Sequence, residues 1–204
     1  MNELRTKDEK RNWILERCFE CLCEHGLEAT NVKMLGKACG MSPGNLFNYF
    51  EGKEQIVIES TAYCMAKIDE EFLAFAPKSL EEIEPYFRQM PIRFAKQHGP
   101  KYRFMYQVYA SPHYLPYGQE FVRNMVVRYR GHAQKFAAVF GVPAELVEPI
   151  IFTFGRVCTH YAMFENEDYL KPQVDYLLLM VQYLAEKYLP RGGEAQEREL
   201  TPQL

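Results

Sequence analysis

Four side chains near the N-terminus have the types that metal or thiol chemistry uses. Cys18-x-x-Cys21-x-Cys23, with His25 two residues on, supplies the ligand kinds of a zinc site or a redox pair. Helical spacing puts Cys18, Cys21 and His25 on one face and turns Cys23 about a third of a turn or more away. Four tetrahedral ligands rarely come from one continuous helix, so the leading reading is packing by small hydrophobes, with a redox role left open and no metal expected. With Cys39, Cys64 and Cys158, the six cysteines crowd toward the N-terminus and do not form the spread framework of a small secreted protein. Reduced thiols are expected. Cys158 and His160 are equally ambiguous, because a lone histidine is usually a hydrogen-bonded core residue.

Other chemistry is missing. The sequence contains no Gly-x-Ser-x-Gly elbow, phosphate loop, paired-carboxylate motif or His-Glu-x-x-His run. The expectation is therefore not an enzyme and no cofactor.

The elements that must position these residues read as nearly all α-helix, since no segment alternates apolar and polar residues as a strand would. A first helix is predicted over Lys7 to His25, with Ile14, Cys18, Cys21, Leu22 and His25 along one face and Gly26 just past its end. A short second helix follows Thr30-Asn31, with Asn31 as N-cap, and stops near Cys39-Gly40. After Gly40-Met41-Ser42 a third begins with Ser42 as N-cap and Pro43 at its first position. A fourth runs from Lys53 to about Phe75. Later helices are marked by the capping pattern Ser79-Leu80-Glu81-Glu82, by Gly99-Pro100 and by Ser111-Pro112, with long ones over Leu115–Phe140, Pro143–Glu165 and Tyr169–Leu189. In the last, Leu170, Val174, Leu177, Val181, Leu184 and Tyr188 alternate in steps of four and three, the spacing of a packing seam. The tail from Pro190 is polar. The expected division is 1–52, 53–189 and a tail over 190–204.

The 204 residues carry 24 Lys plus Arg against 27 Asp plus Glu, a formal charge of −3, and 48% are apolar. That composition excludes a disordered chain and a histone-like polycation. No apolar run is long enough to span a membrane and none follows a basic start as in a signal peptide, so a cytoplasmic protein with no membrane partner is expected. The charge is unevenly placed. Between Thr30 and Lys53 three lysines, Lys33, Lys37 and Lys53, face the single Glu51. A helix, a glycine turn and a helix with local positive charge suit the phosphate backbone of DNA.

From Ile14 to about Ile58 the sequence resembles the DNA-binding segment of TetR-family transcriptional regulators. The resemblance rests on Gly26, Ala29-Thr30-Asn31-Val32, Leu35, Ala38-Cys39-Gly40-Met41-Ser42 and Gly44-Asn45-Leu46-Phe47-Asn48-Tyr49-Phe50, followed by Gly52-Lys53-Glu54. It implies an all-α chain, with an N-terminal three-helix helix-turn-helix domain and a larger helical domain that binds a ligand and dimerises through its last helices. Phe47 stands where the family usually has Tyr, Pro43 where Lys is frequent, and Gly36 at a usual Ala, which costs about 1 kcal/mol of helix propensity. Cys18, Cys23 and Cys39 occupy positions usually held by small residues.

Leu46 and Phe50, four apart, can face the core and leave Asn45, Asn48 and Tyr49 for a major groove. Asn pairs bidentately with adenine, which makes Asn45 and Asn48 the candidates for base readout. Thr30, Lys33, Tyr49 and Lys53 are candidates for phosphate, and Asn31, Ser42, Pro43, Gly44 and Phe47 complete the expected DNA-binding set. No arginine lies between Thr30 and Phe75, so bidentate guanine contacts are absent from this motif. Modest affinity, strong salt dependence and an A·T-leaning operator remain alternatives.

Of 14 Phe and 14 Tyr, all but Phe19, Phe47, Tyr49 and Phe50 lie beyond residue 60, and Tyr102, Tyr106, Tyr109, Tyr114, Tyr117 and Tyr161 cluster with Met90, Met105, Met125 and Met163. Most are ordinary core, but the composition also suits a cavity for a flat or lipophilic molecule. The expected ligand set is Met90, Phe94, Tyr106, Tyr109, Phe121, Met125, Phe152, His160 and Tyr161. The expected dimer set is Phe164, Leu177, Met180, Val181 and Leu184. Arg123, Arg128, Arg130, His132 and Lys135 form a basic run that is either a solvated face or a grip for an anionic group. The expected protein is a homodimeric, ligand-responsive repressor of a near-palindromic double-stranded operator, released by a small lipophilic or aromatic effector. The alternative is a helical small-molecule-binding or stress-sensing protein with weak or lost DNA binding.

Overall fold

A computed structural model describes residues 6–189, and among them eight helices and no strand. The order is α1 (Lys7–His25), α2 (Val32–Ala38), α3 (Pro43–Leu46), α4 (Lys53–Ala74), α5 (Leu80–Tyr109), α6 (Leu115–Phe140), α7 (Ala144–Phe164) and α8 (Glu167–Tyr188). The expected tail over 190–204 lies outside the described residues.

Local chemistry sets the ends of the first helices. The Thr6 hydroxyl accepts from the Glu9 N–H at 3.2 Å while the Glu9 carboxylate accepts from the Thr6 N–H at 2.8 Å, a reciprocal cap for α1. Gly26, at a φ of +83°, lets the chain leave α1 as its N–H donates to the Leu22 carbonyl at 2.8 Å. Asn31 caps α2 through the Met34 N–H and Ser42 caps α3 through the Asn45 N–H, at 3.1 and 3.2 Å. Gly36 has a steric reason to be glycine: a Cβ there would stand 2.7 Å from the Met41 carbonyl oxygen. That carbonyl belongs to the turn that brings α3 back onto α2, and the Met41 N–H donates to the Gly36 carbonyl at 2.8 Å.

The later helices depart from the sequence reading in two respects. Gly99-Pro100 was expected to break the chain, yet α5 runs unbroken for 30 residues through Pro85, Pro91 and Pro100. Each internal proline removes a backbone hydrogen bond. Tertiary contact compensates, because α5 lies along α7 as its principal partner, with Gly99 close to the Ala162 backbone and the Arg103 guanidinium donating to the Ala162 carbonyl at 2.9 Å. The Ser79 side chain makes no cap bond; instead the Glu82 carboxylate accepts from the Lys78 N–H. Gly141 and Glu165, both left-handed, end α6 and α7, and Asn166 caps α8.

One apolar core runs from α1 to α8. It includes Ile14, Leu22, Leu35 and Leu46 at one end and Phe87, Phe154 and Leu177 toward the other. The α4 helix packs along α1, and Phe19 meets Phe104 of α5 edge-on at 5.7 Å. At the pole farthest along the chain a smaller cluster gathers Ala133, Ala137, Val142 and Val147. The seam of α8 packs inward through Leu170, Val174 and Leu177.

Candidate nucleic-acid interface and ligand cavity

The second and third helices present a compact polar surface. Ser42, Pro43, Gly44, Asn45 and Asn48 are exposed, as are Asn31, Lys33 and Lys37, while Leu46 and Phe50 turn inward. Phe47, 48% exposed, stands among the asparagines as an unusually bare aromatic ring. The α3 helix is a single turn, and the chain continues in tighter coils through bonds from Asn48 to Asn45 and from Tyr49 to Leu46. Asn48 and Tyr49 therefore sit just past α3. Tyr49 is half-buried, with Lys10 above its ring, and the Arg11 guanidinium covers Phe50.

Two expected phosphate contacts are engaged within the protein. Thr30 is 1% exposed and its hydroxyl donates to the Gly26 carbonyl at 2.7 Å. The Lys53 ammonium donates to the Leu27 carbonyl at 2.6 Å, tying the start of α4 to the turn after α1. Both groups bond to carbonyls of the turn that follows α1, which is why they face inward.

The cysteines pack. Cys18 and Cys39 bring their sulfurs to 3.7 Å inside the three-helix unit, and all six thiols are free. Contact with Cys39 and burial push the Cys18 thiol far up, and burial pushes Cys23 and Cys64 up to about 12. Such thiols stay protonated and behave as small apolar groups. Among the described residues no three His, Cys, Asp or Glu side chains converge as metal ligands.

The middle of the helical bundle is filled by rings. Phe87 stacks on Phe154 at 4.2 Å, and Phe72 packs against Phe94, Tyr129 and Phe154. Within this packing the buried Asp69 carboxylate accepts from Arg128 at 2.7 Å and from the Tyr129 hydroxyl at 3.4 Å, joining α4 to α6. Burial pushes the Asp69 carboxyl up against the opposing pull of Arg128. Arg128 thus serves a buried partner and Arg130 pairs with Glu148, so two members of the basic run are taken.

A cavity of about 320 Å³ opens instead at the far pole, between the end of α4, the start of α5, the end of α6, α7 and the end of α8. None of the nine expected ligand residues lines it. Phe94 and Tyr161 are buried in the core, as is Met90; Tyr109 packs at a tilt against Phe121; Phe152 leans on Tyr129; His160 lies 3.9 Å from the Tyr169 ring; Met125 is half-buried and Tyr106 exposed. Rings that pair with one another fill space, so the aromatic cluster makes core and the void forms where helix ends diverge. Phe72, Phe87 and Phe154 form its floor and Phe136, Val181 and Leu184 its walls. Lys78, His132 and Lys135 also line it. The sequence marked His132 and Lys135 only as part of the basic run and Val181 and Leu184 only as part of the α8 seam and dimer set; Lys78 carried no signal of its own.

Of the expected dimer residues, Phe164 is 62% exposed, Met180 is half-buried, Leu177 is buried within the chain, and Val181 and Leu184 line the cavity. The outward stripe of α8 is a neighbouring set, Tyr176, Leu179 and Tyr183. The register explains the difference: the four-three seam is spent on the chain's own core. Among the described residues no helix is long and apolar enough to cross a membrane.

Comparison with known proteins places this geometry. Residues 14–59 match the model of the family described as bacterial regulatory proteins, tetR family. No curated protein matches the sequence as a relative. Among solved structures, one described as a TetR-family transcriptional regulator from Mesorhizobium loti shares 13% identity at a TM-score of 0.65, over 91% of this chain and 100% of its own. The fatty acid degradation regulator FadR from Bacillus halodurans shares 18% identity at a TM-score of 0.55, over 85% of this chain and 97% of its own. FadR from Bacillus subtilis, solved in complex with stearoyl-CoA, shares 17% at 0.50, over 82% and 95%. Residues 14–59 thus carry the segment described by the tetR family of bacterial regulatory proteins, on a fold that this chain shares with solved regulators along most of its length.

Proposed function

We propose that the protein is a dimeric transcriptional repressor whose DNA binding is released when a lipophilic molecule enters the far-pole cavity. The exposed row of Asn45, Phe47 and Asn48 at the end of a capped helical turn is the observation that carries the DNA reading. Each asparagine offers one acceptor and a pair of donors to an adenine edge, Phe47 offers apolar contact to a thymine methyl, and Lys33 and Lys37 meet phosphate. Thr30 and Lys53 act from behind, holding the turn that positions α2 and α3. In this reading residues 1–52 read DNA and 53–189 bind the effector and pair with a second copy, through Phe164 and the outward stripe of α8, across a two-fold axis. The protein works by binding and not by turnover.

The effector acts through α4, whose Phe72 and Leu73 line the cavity and whose first residue, Lys53, is bonded to the reading unit. The shift can be no larger than the effector's difference in affinity for the two arrangements. The likeness to a regulator solved with stearoyl-CoA supports a lipophilic effector.

Anisotropy titration against the DNA upstream of the protein's own gene tests the reading. Asn48→Ala is expected to weaken binding by about 1–3 kcal/mol. Lys33→Ala is expected to weaken it evenly across sequences and to lower the salt slope by about 1. Both side chains are exposed, so the fold should survive; if both variants bind like the parent, the assignment to α2 and α3 is wrong.

A further inference from the structure

We infer that the far-pole cavity takes an apolar chain that ends in an anionic group, with Lys78 and Lys135 receiving that end. The inference rests on the effector reading above and adds the chemistry of the ligand. Three observations carry it. The walls are hydrocarbon, from Phe136, Val181 and Leu184 among others, and the volume of about 320 Å³ falls at the small end of ligand sites. Every lining residue that can carry charge near neutral pH is basic: Lys78 from the turn between α4 and α5, and His132 and Lys135 one turn apart on α6. Not one carboxylate lines the cavity. Lastly, the two lysines are exposed while the floor is buried, so positive charge stands at the mouth and apolar surface lies within.

A cation's end group would meet like charge there, and an uncharged polar head would gain nothing from it. An anion gains two ammonium groups without a buried charge being created, because Lys78 and Lys135 remain in water. Burial and the neighbouring Lys135 both lower the His132 pKa, so at neutral pH the imidazole serves as a neutral hydrogen-bonding group beside the two ammonium groups. The apolar chain supplies most of the affinity: each buried methylene strengthens binding about fourfold until the cavity is full.

Displacement of an apolar fluorescent dye from the full-length protein tests this with decanoate, decanol, decyltrimethylammonium and decanoyl-coenzyme A. Decanoate is expected to displace the dye roughly tenfold better than decanol, with an advantage that shrinks as salt rises, and the ammonium to be weakest. The double variant Lys78→Ala, Lys135→Ala should bring decanoate down to the level of decanol, and Leu184→Trp should block displacement by all four while keeping the parent's helical circular dichroism. The thioester distinguishes the source of the anion: tighter than decanoate assigns the head to a coenzyme A derivative, weaker assigns it to the free acid, and either supports an anionic end. Equal displacement by decanoate and decanol, or a double variant that behaves as the parent, overturns the inference while leaving a lipophilic effector in place. If none of the four displaces the dye, both readings fall.

Discussion

At the reading end, short helices are held by their own caps and by backbone contact, whereas at the far pole long helices splay and leave a void that no local rule predicts. In the first 52 residues the helix ends are set within a few positions: Thr6 on Glu9, Asn31 on Met34, Ser42 on Asn45, Gly36 against Met41. Around the cavity the constraints join segments far apart in the chain, as in Phe72, Phe87 and Phe154 stacking from α4, α5 and α7. The difference teaches that a site of exposed polar groups on a turn can be specified locally, but an empty volume is a property of how several helices fail to meet.

The largest expected effect probes the floor of the cavity. Phe154→Ala removes a ring stacked at 4.2 Å on Phe87, and should cost about 3–5 kcal/mol in denaturant unfolding. Phe136→Ala, on the half-buried wall, should cost markedly less. If the two cost the same, the floor is as loosely packed as the wall and the contrast between filled middle and open pole collapses.

A smaller effect tests whether the reading end is governed by close approach. Helix propensity alone says that Gly36→Ala gains about 1 kcal/mol. The added Cβ would instead stand 2.7 Å from the Met41 carbonyl, a backbone atom that cannot swing aside. A net loss of about 1–3 kcal/mol is therefore expected, with DNA binding weakened as the turn shifts. Thermal melting decides the sign, and a stabilised variant would show that the turn has room to give.

The smallest effect concerns pH in the body between the two ends. His98 is buried beside Glu71 on α4, and burial, aided by Lys101, lowers its pKa against the pull of Glu71. The unfolded chain then binds a proton that the folded chain resists, so this contribution to stability is complete above the ordinary histidine pKa of about 6.5 and is lost as pH falls below it. Melting followed from pH 7.5 down to 5.5 should show His98→Gln losing less of its stability than the parent. Parallel curves would mean that Glu71 compensates the buried imidazole in full.

How much was legible follows the same division. The ends of α1, the caps of α2 and α3, and the inward turn of Leu46 and Phe50 were all readable, because glycine, Asn, Ser and Pro act on neighbouring backbone. The inward commitment of Thr30 and Lys53 was not, since it depends on which carbonyls the turn after α1 presents to them. Prolines misled over α5, where packing on α7 outweighs three lost backbone bonds. The aromatic residues did not point to the far-pole cavity: rings such as Tyr109 and Phe121 find each other, and the wall residues Val181 and Leu184 were legible only as members of the α8 seam.

The bond from Lys53 to the Leu27 carbonyl has a mechanical meaning. It fastens one end of a rod to the reading unit, while Phe72 and Leu73 at the other end of the same rod touch the cavity. A helix of 22 residues is about 33 Å long. Pivoting such a rod by about 5° displaces its tip by roughly 3 Å, close to the rise of one DNA base-pair step. In a pair of copies turned opposite ways the two displacements add. A motion at the cavity too small to disturb the core would thus put two reading heads out of step with successive turns of the duplex.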